Sequence, residues 1–199
     1  MKASELTIHL ENIRYKFHDL NTENEVGYLT DYQNEDGIAT WEFNAKTCQQ
    51  YEKQLRELAV DLWSLKDILK LRMTELSKNP QDVEDHVNSR KYLMYLSDIA
   101  NNSKHGRLSR SRSGLFINIR KVNMSLPSGI SLSVKNNGPV VKIDSPKEIT
   151  YHTNVYDTSG NYRGKAETIL INAFSDWIKL VNKRKLLDIS YELGKLIKL

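Results

Sequence analysis

Tyr92-Leu93-Met94-Tyr95-Leu96-Ser97-Asp98-Ile99-Ala100-Asn101-Asn102-Ser103-Lys104-His105-Gly106, with Arg107, Arg110 and Arg112 close behind, is the stretch on which the reading of this chain turns. Leu93, Leu96 and Ala100 recur at helical spacing with Ile99 beside them, so the segment reads as an amphipathic helix. Asp98, Asn102 and His105 then stand at i, i+4 and i+7 on one polar stripe, and Gly106 stops the helix. An acid, amides, an imidazole and several cations fall together here. No other part of the chain is as dense in reactive groups.

Upstream, Asn79-Pro80 opens this helix, with Pro80 at its first position and Asp82, Glu84 and Asp85 in its first turns, where acids complement the helix dipole. The expected span is 80–104. The longest expected helix precedes it, over 44–77. Leu55, Leu62, Leu69 and Leu76 repeat every seven residues with Leu58 and Leu65 between them, a heptad-like seam. Arg72 interrupts the second row, which favours a bundle over an extended coiled coil. Trp63 lies off the seam and is expected to meet a third helix. The chain opens with a helix over 4–20, with Ser4 as N-cap and Leu6, Leu10, Ile13, Phe17 and Leu20 along one stripe. His9 and His18 fall off that stripe and read as surface residues. Between the first two helices, 26–32 and 38–43 flank Asn34-Glu35-Asp36-Gly37, a hairpin signal. Trp41 and Phe43 are expected to cover an end of the core.

Downstream, Arg107-Leu108-Ser109-Arg110-Ser111-Arg112-Ser113-Gly114 reads as a linker, after which the period changes. Segments 115–122, 130–134, 140–144 and 149–156 look like strands, separated by Pro-, Gly-, Asn- and Ser-rich turns. A helix over 165–184 follows, with Ala166, Ile169, Ala173, Trp177 and Leu180 on one face. The tail 185–199 stays amphipathic and is expected to dock on the protein itself. These elements give an α+β fold, an antiparallel helical bundle with a small antiparallel β-sheet inserted before the last long helix. A single domain over 1–199 is expected, its helical part at about 1–106 and 165–199 and its β subdomain at about 115–162.

A chain of 199 residues is long enough to bury one core. No apolar run reaches the roughly 18 residues of a membrane span, and the first ten residues show no signal-peptide pattern. Cys48 is the one cysteine, which excludes an internal disulfide and a cysteine-based zinc site. A cytoplasmic setting fits. Residues 1–100 hold 12 Lys and Arg against 18 Asp and Glu, a net of −6, whereas residues 101–199 hold 17 against 7, a net of +10. Such asymmetry marks a polyanion-binding face or two halves that attract each other or a partner chain.

Familiar catalytic motifs are missing: there is no phosphate loop, no dinucleotide-binding glycine pattern, no HExxH pair and no Gly-x-Ser-x-Gly elbow. No cofactor and no metal site is expected. The spaced arginines of the linker, with Ser109 and Ser111, suit phosphate contacts by charge and bidentate hydrogen bonds. The candidate nucleic-acid-binding residues are Lys104, Arg107, Arg110, Arg112, Arg120 and Lys121, extended by Lys135 and Lys142. Tyr151, His152 and Tyr156 are candidates for base stacking.

A long helical hairpin ending in Asn101-Asn102-Ser103-Lys104-His105 resembles the HEPN family of small helical bundles. Nucleases of that family carry an arginine, a polar residue and a histidine near the end of a helix. In the RNA-cleaving members the histidine and arginine act on the 2′-hydroxyl and the scissile phosphate across a dimer interface. On this resemblance His105 takes the place of the histidine and Asn101 that of the polar residue. Positions 98 to 100 are Asp98, Ile99 and Ala100, so the arginine is missing, and the cation that a phosphodiester transition state needs falls to Lys104, Arg107 or Arg110. The resemblance spans roughly residues 44–106. It implies an RNA- or nucleotide-directed homodimer of a phage-defence or toxin system, with His105, Asn101 and Asp98 as candidate catalytic residues. The competing reading is a non-catalytic interaction protein or oligomeric scaffold, in which His105 and Asp98 are structural and the basic half meets an acidic protein partner.

Overall fold

Thr47 starts the longest helix with a capping box: its Oγ1 accepts from the Gln50 N–H at 3.1 Å while the Gln50 Oε1 accepts from the Thr47 N–H at 2.7 Å. In the computed structural model, which describes residues 3–22, 32–33, 39–40, 46–106, 109–125, 130–135, 138–143 and 150–187, this helix is α2 (Cys48–Glu75). The preceding α1 (Ala3–Thr22) buries Leu6, Leu10, Ile13, Phe17 and Leu20, the stripe its sequence predicts. Between them β1 (Tyr32–Gln33) pairs antiparallel with β2 (Ala39–Thr40); the rest of the expected strands 26–32 and 38–43, the turn at 34–37, and Trp41 and Phe43 lie outside the described residues.

The leucine seam of α2 is core. Leu55, Leu58, Leu62, Leu65 and Leu69 are all buried, each worth roughly 1.5–3 kcal/mol of transfer free energy. At Arg72 the buried row passes to Met73, and the Arg72 Nε instead donates to the Leu186 carbonyl at 3.2 Å, tying the end of α2 to the segment after the last helix.

The single helix expected over 80–104 is two. Helix α3 (Gln81–Asn88) and helix α4 (Lys91–His105) are separated at Ser89 and Arg90, the latter extended at φ −121°, ψ 113°. Asn88 and Ser89 offer the backbone local alternatives to helical bonds, and the Ser89 hydroxyl donates to the His86 carbonyl at 2.8 Å. The break lets Val83 and Val87 on α3, and Leu93, Leu96 and Ile99 on α4, all reach the core.

Strands fall in all four expected segments, as β3 (Asn118–Ser125), β4 (Ile130–Lys135), β5 (Gly138–Ile143) and β6 (Thr150–Tyr156), although β3 begins three residues later than expected, after a loop that holds 115–117. A further strand, β7 (Tyr162–Lys165), joins them. Strands β3, β6 and β7 form an antiparallel sheet with β6 in the middle, and β4 and β5 pair as a two-stranded ribbon. Helix α5 (Ala166–Lys183) follows directly and buries Ala166, Ile169, Ala173, Phe174, Trp177 and Leu180. The fold is α+β, an antiparallel helical bundle with a small antiparallel β-sheet before its last helix, and one hydrophobic cluster joins α1 to α5 with β3 and β6. Among the described residues no helix is long and apolar enough to cross a membrane. The tail beyond Leu187 lies outside the described residues; within them, Leu186 is buried.

Candidate functional site

Asp98 lies fully buried on α4. Its Oδ2 accepts from the hydroxyls of Ser111 at 2.6 Å and Ser113 at 2.5 Å and from the Ile117 N–H at 3.2 Å, while its Oδ1 accepts from the Arg112 N–H at 2.9 Å. Charged hydrogen bonds of this kind are the strong ones. They fold the Arg/Ser segment back against α4. The Ser113 hydroxyl also accepts from the Leu115 N–H and the Ser111 hydroxyl from the Phe116 N–H, both at 3.0 Å. Phe116 is held at φ 51°, a conformation that costs a bulky residue about 1–3 kcal/mol and persists only where its surroundings over-determine it. The described part of the segment read as a linker, 109–114, is therefore a built loop, and Asp98 is its anchor.

That anchoring places two arginines. Arg112 donates through Nη1 to Glu84 Oε2 at 2.8 Å and to Asn88 Oδ1 at 2.9 Å, and its guanidinium carbon lies 5.5 Å from the centroid of the Trp63 ring. Lys66 Nζ stands 5.3 Å from the same ring, within cation–π range. Glu84 collects the cations behind them, with Lys70 at 2.5 Å and Lys66 at 3.7 Å. Burial pushes the Glu84 carboxyl up, but hydrogen bonds from Lys70 and Arg112, together with the charges of Arg112 and Lys66, hold it down at about 2. Its neighbours, in the first turns of α3, are also occupied: Asp82 pairs with Arg184 at 2.9 Å and Asp85 accepts from the Gln81 side-chain amide at 3.0 Å.

Between the loop and the helices lies a pocket of about 370 Å³, lined by Trp63, Lys66, Ser97, Asn101, Arg110, Ser111 and Arg112. Among the described residues its lining comprises three cations, two hydroxyls, an amide and an indole, without a carboxylate. Arg110 is exposed at its edge, and the Asn101 amide reaches the Ser97 hydroxyl at 3.4 Å. His105, one turn beyond Asn101, is exposed at the end of α4, where Gly106 closes the helix at φ 67°. It does not reach Asp98, whose oxygens are taken by the loop.

The structure thus brings Asn101, Arg110 and Arg112 to one pocket, with Lys104 and His105 exposed on the next turn. Arg120 is exposed on β3; Arg107 lies outside the described residues, as do the side chains of Lys121, Lys135 and Lys142. The aromatic candidates are elsewhere. Tyr151 is buried and stacks on Tyr51 with centroids 4.1 Å apart, Tyr156 meets Tyr162 edge-on at 5.8 Å, and His152 shares a 2.8 Å hydrogen bond with Ser125. Trp63, Lys66 and Ser97 carry little sequence signal as site residues beyond Trp63 standing off the leucine seam, with Lys66 one turn after it. His9 is half-buried against Ser64, at 3.2 Å, and not a free surface residue.

A larger groove, of about 590 Å³, runs along α2, but its charges satisfy one another: Lys16 pairs with Asp61, Arg56 with Glu52 at 2.7 Å and Lys53 with Glu57 at 3.8 Å. Compensated in this way, it has little pull on an ion. Among the described residues no three His, Cys, Asp or Glu side chains converge as a metal site. The chain matches no known protein-family model, no curated protein and no solved structure.

Proposed function

We propose that this protein is an HEPN-like, RNA- or nucleotide-directed module that binds its ligand on the face formed by the end of α4 and the Arg/Ser loop. The observation that carries the reading is the pocket in which Lys66, Arg110 and Arg112 converge with Asn101, one turn before the exposed His105. Arg110 brings an exposed cation to Lys66 and Arg112, which are partly compensated from behind by Glu84 and, for Lys66, by Asp67, and a positive face of this kind attracts phosphate. In this account Arg110 supplies the positive charge that the missing family arginine would give, and His105, exposed one turn beyond Asn101, acts as the general acid–base group. A role in phage defence or a toxin system belongs to the same proposal.

The test is incubation of the purified protein with a mixed RNA pool beside His105→Ala, read on a gel. Cleavage lost in the variant makes this a nuclease. A retained complex without cleavage makes it a binding module. Intact RNA with no complex overturns the proposal.

A second reading, an interaction protein, draws on a different face. Ile8 and Tyr15, seven residues apart on α1, are 60% and 69% exposed on one side of the helix. Gel filtration of wild type beside Ile8→Glu/Tyr15→Glu tests it; an unchanged elution volume counts against self-association through that face.

A further inference from the structure

We infer that the pocket beneath the Arg/Ser loop takes a phosphate monoester, the terminal phosphate of a nucleotide or of an RNA end. This deepens the reading above and rests on it in treating the pocket as the anion-binding part of the face.

Three features separate a terminal phosphate from the internal phosphates of a strand. The first is size. A volume of about 370 Å³ is at the small end of ligand pockets, room for a headgroup and its sugar. The second is charge. A monoester carries between one and two negative charges at neutral pH, one more than a diester for most of the population, and three terminal oxygens in place of two. The pocket offers Lys66, Arg110 and Arg112 as cations, and Ser97 and Asn101 as neutral hydrogen-bonding groups.

The third is preorganisation. Arg112 is fixed from behind by Glu84 at 2.8 Å and through its own backbone by Asp98 at 2.9 Å, and Lys66 leans on Glu84 at 3.7 Å. Glu84 and Asp98 hold Arg112, and Glu84 and Asp67 hold Lys66, from outside the pocket lining, so these two donors are positioned before the ligand arrives, while Arg110 adds its charge from the exposed edge. Trp63 is buried, with Lys66 and Arg112 near its ring, so it shapes the pocket wall and is not open to stack a base. Recognition accordingly centres on the phosphate.

The experiment is calorimetric titration of the full chain with adenosine 5′-monophosphate and with adenosine, beside anisotropy with one short RNA carrying either a 5′-phosphate or a 5′-hydroxyl. Two variants accompany it: Arg110→Ala, at an exposed position, and Asn101→Asp, which sets a carboxylate in the pocket at almost unchanged volume. Saturable binding of the monophosphate but not of adenosine, weakened about tenfold by Arg110→Ala and more by Asn101→Asp, supports the site. If the monophosphate binds and neither RNA does, the ligand is a free nucleotide, and the RNA part of the proposed function fails alone. If only the 5′-phosphorylated RNA is preferred, the ligand is an RNA end. Equal binding of both RNAs with no binding of the monophosphate overturns the inference and leaves the broader reading standing. Binding of none of the four overturns both.

Discussion

The backbone N–H of Arg112 donates a 2.9 Å hydrogen bond to the buried carboxylate of Asp98. Through this bond and three others an acid on α4 sets the path of a loop thirteen or more residues further on. Removing the acceptor leaves buried donors unpaired. Asp98→Ala is expected to cost about 3–5 kcal/mol, and Asp98→Asn, which turns an N–H₂ group toward one set of donors, about 2–4 kcal/mol. Denaturant unfolding measures both, and a loss below 1 kcal/mol would show that the loop does not depend on Asp98.

Glu84 ties the same loop to α3. With its pKa held at about 2 against an ordinary 4.5, its contribution is fully present above about pH 4.5 and is lost as the pH falls towards 2. Glu84→Gln keeps the shape and removes the charge; about 1.5–3 kcal/mol of stability should go with it at neutral pH. The variant should also show a shallower acid unfolding curve between pH 4.5 and 2 than wild type. Superimposable curves would refute the assignment.

His86 gives a separate pH window. Burial lowers its pKa from 6.5, the positive charges of Arg90 and Lys183 push the same way, and the hydrogen bond to the Asp176 carbonyl and the Asp176 charge oppose them. The unfolded chain therefore binds more protons than the fold just below pH 6.5, so stability falls as the pH drops through that region. Thermal midpoints taken either side of that region should fall towards acid in wild type and flatten in His86→Gln, which removes the titrating ring. Equal slopes in the two proteins would exclude His86 as the source.

Much of the fold is readable in the chain because periodicity reports burial directly. The α1 stripe and the leucines of α2 are core at the positions that their spacing indicates. The break between α3 and α4 is less visible: it shows only as a six-residue step from Val87 to Leu93, which slips the apolar stripe out of helical phase, and in the local chemistry of Asn88 and Ser89. The pairing of the strands also escapes the sequence: alternation identifies each strand, but only long-range contacts choose its neighbour. The site divides in the same way. Asn101, Arg110 and Arg112 stand out by their proximity in sequence, whereas Trp63 and Lys66 arrive from another helix. The role of Asp98 was hidden because its partners are scattered hydroxyls and backbone N–H groups with no period to betray them.

His105 and Gly106 end α4 in the open. Replacing an exposed histidine at a helix C-terminus removes about 0.3–1 kcal/mol of dipole interaction at most, so His105→Ala should melt close to wild type. Gly106→Ala should cost about 1 kcal/mol, because alanine resists φ 67° although no atom obstructs its Cβ. A large stability loss in His105→Ala, seen by thermal melting, would make that side chain structural.

Arg110 is the ligand-facing cation of the proposed site, and the salt dependence of RNA binding tests that most directly. Affinities for a short RNA would be measured across a range of salt for wild type and Arg110→Ala. The predicted result is weaker binding in the variant and a slope of log affinity against log salt that is shallower by about 0.7–1, the loss of one phosphate contact. Identical affinities and identical slopes would contradict the placement of RNA at this face.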